Sequence, residues 1–174
     1  MLAQEIQKRI KDGNSRETFL FADLCGFTEY TCRHGDKLAA DLAVGFHRRV
    51  RKLAAEEGCN VVKSIGDAVM VHSRDCQIAV RLACRILALS ELDGYPPIRI
   101  GIDSGPAVKR GRDWYGSTVN AAARVADVAT PGELLMTDRV RSEVGDAGSI
   151  RVVPRGVREL KGLPAAPVHA AVAA

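Results

Sequence analysis

The pattern of apolar residues over these 174 positions predicts one α+β domain built on an antiparallel sheet, in the order βαββαβ with further elements after it. Two observations carry that prediction. Strand-like runs alternate with helical stripes, and no repeat or linker-like stretch divides the chain. Residues 1–12 place Leu2, Ile6 and Ile10 on one stripe and predict a short amphipathic helix, broken at Asp12-Gly13-Asn14-Ser15. This helix is either N-terminal packing or the stump of a segment coupling to a regulatory domain. Thr18 to Asp23 is strand-like, and the chain turns helical from Gly26. A long helix is expected over Asp36–Glu57, ending at Gly58. Cys59–Lys63 and Ala68–His72 predict a hairpin around Ser64-Ile65-Gly66-Asp67, and Asp75–Leu92 a second helix. Beyond Pro96-Pro97, Ile98–Gly105 alternates as a strand and Ser117–Val128 is a third helix. Leu134-Leu135-Met136 is a short strand, and Asp138 is placed to cap a short helix after it. Ile150–Leu160 is a last strand or hairpin arm, and Ala165–Ala174 reads as a low-complexity, alanine-rich tail. The expected division is a helical segment over 1–16, a domain over 17–168 and a tail over 169–174.

Composition narrows the classes. With 47% hydrophobic and 26% charged residues, and no apolar run of the roughly 20 residues a bilayer demands, a soluble cytoplasmic domain without direct membrane insertion is expected. Five cysteines, odd in number and in no CxxC pair, predict reduced thiols. A net charge of +4 suits an anionic partner, but aromatic residues are only 5% of the chain, too few for a base-stacking surface. No nucleic-acid partner is expected.

Two aspartates stand out. Asp23 ends an apolar run just before Gly26, and Asp67 follows Gly66 at the hairpin turn. Carboxylates beside a buried strand are costly unless paired or bound to a cation, and oxygen ligands suit hard ions such as Mg2+ or Mn2+. The backbone N–H groups of Cys25 to Thr28 can cradle phosphate at a helix start, with Gly26 letting that backbone come close. Asn120 and Arg124, four apart, share one helix face.

Four segments then appear in order: Phe21-Ala22-Asp23-Leu24-Cys25-Gly26-Phe27-Thr28, Lys63–Ala68, Arg99–Gly105 and Gly116–Val125. Together, with Arg155–Leu163 closing the series, they resemble the catalytic domain of class III nucleotidyl cyclases, the adenylyl and guanylyl cyclases. The resemblance runs from about residue 17 to about residue 168. It implies a ferredoxin-like core and conversion of ATP to 3′,5′-cyclic AMP and pyrophosphate. Two Mg2+ or Mn2+ ions per site are implied, held by Asp23, Asp67 and the carbonyl of Leu24. It also implies that Phe27 packs against the site, that Asn120 positions the ribose and that Arg124 stabilises charge at the α-phosphate. Lys161 is expected to approach the β- and γ-phosphates.

Lys63 and Asp113 fall on the family's base-specifying pair. Lysine only donates and ionised aspartate only accepts, which matches adenine N1 and its 6-amino group. Guanylyl cyclases typically have glutamate with a small or neutral partner there. A guanylyl cyclase, a silent regulatory nucleotide-binding domain and an RNA-recognition module are the competing readings. The last lacks aromatic residues on Ile98–Ile102. The resemblance further implies a homodimer with shared sites, since one chain carries both the metal set and the base-reading set. Lys109, Arg110 and Arg112 crowd the loop before Asp113, and Trp114-Tyr115 precede Gly116 where relatives more often have tryptophan directly before the glycine.

Overall fold

The computed structural model describes residues 16–145 and 150–173. The helix expected over 1–12 lies outside them. Strand β1 (Glu17–Leu24) leads through a short helix α1 (Phe27–His34) into the long α2 (Asp36–Glu56). The hairpin β2 (Asn60–Ile65) and β3 (Ala68–Ser73) follows, then α3 (Cys76–Leu87), the single turn α4 (Leu89–Leu92) and β4 (Ile98–Gly105). A small hairpin, β5 (Val108–Arg110) with β6 (Asp113–Tyr115), precedes α5 (Ser117–Val128). The chain continues as β7 (Leu134–Thr137), α6 (Asp138–Val144), β8 (Ile150–Arg158) and β9 (Ala166–Ala173).

Seven strands form one sheet in the order β2-β3-β1-β4-β7-β9-β8, so the βαββαβ core occupies one half and the later strands the other. β1 is flanked by β3 and β4, both antiparallel to it. The sheet is not wholly antiparallel: β4 and β7 run parallel. A parallel neighbour needs a long crossover, and α5 provides it.

Alternation along β1 divides the core. Leu20, Ala22 and Leu24 point toward α2 and α3, where they meet Phe46, Val50, Leu82 and Ile86. Phe19 and Phe21 point the other way, toward Val119 and Ala122 of α5. A strand covered on both faces reads as a continuous apolar run, as β1 does. α2 ends close to the expected place, with Gly58 at φ 71 just beyond it. Asp75 caps α3 by accepting the Ile78 N–H at 3.0 Å.

Several expectations need correction. The β2–β3 turn is Gly66-Asp67 alone, because Ile65 pairs with Ala68 and Ser64 belongs to β2. The second helix is interrupted at Ala88. Thr137, not Asp138, occupies the N-cap of α6; Asp138 is its first residue and accepts from His169 at 2.6 Å. The alanine-rich segment is no tail. It forms β9 between β7 and β8, with Val168 and Ala170 buried against Val125, Leu135 and Leu160. The loop expected before α5 carries the two short strands of the β5–β6 hairpin.

α5 sits on β4 through Gly101. A Cβ there would lie 2.1 Å from the Ala126 nitrogen and 2.4 Å from the Ala122 oxygen, both backbone atoms. Neither can move without displacing the helix. Gly101→Ala is therefore expected to destabilise the domain by about 3 kcal/mol or more, at the upper end of overpacking costs. Urea unfolding of the purified variant checks this; a midpoint equal to the parent's would show that α5 can lift off β4.

Candidate active site

Register brings the two aspartates together. Asp23, near the end of β1, pairs across the sheet with Ala68, and Asp67 is the turn residue immediately before Ala68. Both line a cavity of about 390 Å3 with Leu24, Cys25, Gly26, Phe27 and Thr28. The Leu24 side chain is buried in the core, so its backbone is what faces the cavity. Gly26, at φ 73, is the left-handed cap of α1, and no side chain caps that helix start. One member of the expected cradle drops out: the Cys25 N–H donates to the Pro97 carbonyl at 2.7 Å. The donors left for an anion are those at the start of α1, from Gly26 to Thr28. Phe27 lines the cavity and also packs on the core.

The electrostatics here are strained. Burial, then the charge of Asp23 and a hydrogen bond to it, push the Asp67 carboxyl up to about 6. Two carboxyls this close are an oxygen donor set that a hard divalent cation relieves, so the residues present fit such an ion. Among the described residues no cluster of three or more His, Cys, Asp or Glu side chains offers a competing metal site.

Arg99 is the residue that the sequence reading passed over. It lines the cavity and grips one Asp23 oxygen through Nε at 2.9 Å and Nη2 at 2.7 Å, while Nη1 reaches the Asp127 carbonyl at 3.2 Å. Its segment was visible, but nothing in the sequence linked it to an aspartate 76 positions away; strand register does, pairing Asp23 with Arg99.

The remaining residues lie elsewhere. Lys63 on β2 donates to Asp113 on β6 at 2.6 Å. That bond, followed by the Trp114 N–H, holds the Asp113 carboxyl below the usual aspartate range. A shift in register between Val61 and Lys63 accompanies this placement. Asn120 and Arg124 stand on α5, Asn120 exposed and Arg124 bonded to Asp127 at 2.9 Å. Lys161 is exposed in the connection from β8 to β9. None of Lys63, Asp113, Asn120, Arg124 or Lys161 lines the cavity that holds Asp23 and Asp67.

Comparison with known proteins agrees with this fold. The family of adenylate and guanylate cyclase catalytic domains matches residues 12–170, and the chain belongs to that family. A pH-sensitive adenylate cyclase of Mycobacterium tuberculosis is 37% identical over 139 residues, covering 78% of this chain and 34% of that protein. An adenylate cyclase of Streptomyces griseus is 34% identical over 119 residues, covering 68% of this chain and 30% of its own length. The chain thus spans about a third of the length of these curated relatives. The crystal structure of the adenylyl cyclase CyaB from P. aeruginosa superposes with a TM-score of 0.82 at 24% identity, covering 91% of this chain and 94% of that one. Among the described residues no helix is long and apolar enough to cross a membrane, and all five cysteines are unbridged.

The Asp67 shift has a measurable sign in the metal-free chain. A folded-state value raised above the unfolded one stabilises at low pH, and that contribution is lost as pH rises from the ordinary 3.8 through about 6. Thermal melts in a chelator are expected to show stability falling between about pH 4 and about pH 6, with Asp67→Asn flattening the slope. Identical slopes for parent and variant would mean that the Asp67 carboxyl is not raised in the folded chain.

Proposed function

We propose that this chain is an adenylyl cyclase acting in the cytoplasm, turning ATP into 3′,5′-cyclic AMP and pyrophosphate at sites shared between two copies of itself. The observation that carries the base choice is the Lys63–Asp113 pair, which sets a donor beside an acceptor at 2.6 Å. Adenine offers the matching acceptor and donor at N1 and its amino group; guanine offers the reverse. The names of the M. tuberculosis and S. griseus relatives point the same way.

In this reading Asp23, Asp67 and the Leu24 carbonyl would hold two Mg2+ or Mn2+ ions, which would supply activation of the ribose 3′-oxygen and charge balance on the triphosphate. The bond from the 3′-oxygen to the α-phosphorus forms as the bond to pyrophosphate breaks. Asn120 orients the ribose, and the Arg124 guanidinium meets the charge that develops at the α-phosphate. The N–H groups of Gly26 to Thr28 bind phosphate oxygens, and Lys161 approaches the β- and γ-phosphates. Arg99, now paired with Asp23, is placed to turn to the triphosphate once the carboxylate is engaged elsewhere.

The shared site rests on the separation of the two residue sets. The cavity around Asp23 and Asp67 is not lined by the base-reading or transition-state residues, so a second chain in head-to-tail symmetry is the natural source of them.

Two measurements test this. Purified chain with Mn2+ should make cyclic AMP from ATP and far less cyclic GMP from GTP; a GTP preference would overturn the base assignment. Asp23→Ala and Arg124→Ala chains should each be nearly silent, whereas a mixture allowed to exchange subunits should regain activity through heterodimers holding one complete site. A mixture as silent as its components would rule out sharing.

A further inference from the structure

A second cavity is larger than the one that holds the aspartates. A space of about 700 Å3 opens between the tip of the β5–β6 hairpin and the edge formed by the start of β2 and the end of β3. Arg74, Lys109 and Arg112 line it together with His72 and Trp114, and no carboxylate does. Several arginines elsewhere in the molecule are neutralised: Arg81 and Arg85 by Glu57, Arg99 by Asp23, Arg139 by Asp103 and Arg155 by Glu133. Here three cations converge, and none of them takes part in an ion pair among the described residues. Two acids adjoin these cations in sequence: Asp113 is committed to Lys63 and the Trp114 N–H, and Asp75, next to Arg74, lies outside this cavity and caps α3 through the Ile78 N–H. His72 is held by the buried Glu17 at 2.5 Å. Like charges gathered without a counter-ion repel, and an anion removes that cost.

We propose that this cavity is a second anion site, distinct from the cleft at Asp23 and Asp67, and that it takes a compact phosphoryl anion of the pyrophosphate type. Arginine forks match phosphate oxygens two at a time, and two forks plus an ammonium suit a ligand with several charges better than a single carboxylate. The volume accommodates pyrophosphate or the tail of a nucleoside triphosphate. Recognition runs through charge rather than base stacking. The Trp114 ring is already engaged by His72, stacked at 4.5 Å, and by the Lys109 ammonium at 5.7 Å from its centre. Arg110 is not part of the site: its guanidinium folds back onto the Lys109 carbonyl at 3.2 Å. The crowded basic loop before Asp113 therefore divides, with Lys109 and Arg112 facing the cavity.

Trp114 is the one tryptophan of the chain, so the intact protein carries its own reporter. Titration with inorganic pyrophosphate in a chelator, at constant ionic strength, should change its emission saturably; ATP should do the same through its phosphates. Arg74→Gln with Arg112→Gln should weaken the response by roughly tenfold or more, since each removes a charge-assisted contact. All three basic residues are exposed, so fold loss is not expected, and Lys109→Gln gives a second reading of the same loss. Lys161→Gln should leave the response intact. The proposal is overturned by no saturable response beyond that to chloride. A response that survives in the double variant, one that Lys161→Gln abolishes, or one that ATP produces and pyrophosphate does not would overturn it equally.

Discussion

Helix α5 rests on β4 with backbone against backbone, and no side chain fits between them at Gly101. Much of the chemistry proposed for the molecule depends on that contact. A helix held by its own peptide groups has little freedom to roll or slide, so the residues on its outer face inherit the rigidity of the sheet. Asn120 and Arg124 are on that face. Thr118 adds a further tie, its hydroxyl donating to the Pro106 carbonyl at 2.7 Å where the β5–β6 hairpin departs. Val119 and Ala122 meet Phe19 of β1, the strand that carries Asp23 at its far end. Helix and central strand are thereby a single mechanical unit.

Ion pairs of similar appearance differ greatly in consequence. Arg33 and Glu29 meet at 2.6 Å on the outside of α1, where both are about two-thirds exposed, and such pairs contribute little to stability. Arg99 and Asp23 meet at 2.7 Å in a recess, with 32% and 19% of their side chains exposed. There the guanidinium bonds one carboxyl directly, while Asp67 feels its charge without a bond to it and, buried beside Asp23, keeps its proton more tightly. Asp103 shows the other solution to the same problem: it is fully buried and satisfied by Thr137 at 2.6 Å and by Arg139.

What the sequence made legible follows the strength of local signals. α5 was read residue for residue, and α2 to within one position, because apolar residues recur at helical spacing and glycine or polar residues close the ends. β1 and β4 were clear from their apolar runs. The β5–β6 hairpin has three residues a side, mostly charged or aromatic, and offers no period to detect. β9 was hidden by its alanines: a small side chain looks featureless in a list but packs well beneath α5. The positions of Asp23, Asp67, Lys63 and Asp113 were visible as motifs, whereas the bond between Lys63 and Asp113 and the grip of Arg99 on Asp23 join residues 50 and 76 apart. Pairings at that range are a property of register, which local pattern does not encode.

The placement of β9 inside the sheet bears on how the domain is made. β8 touches the rest of the sheet only through β9, which is synthesised after it. During translation the outer edge of β7 therefore stays open, with Leu135 uncovered, until residues 166–173 have emerged. An unpaired edge beside an apolar patch invites pairing with another nascent chain. The shortness of β7, four residues, limits how much edge is on offer during that interval. Of the seven strands of this sheet, β9 emerges last and is the one that seals it, so a chain stalled before it would be the aggregation-prone form of this protein.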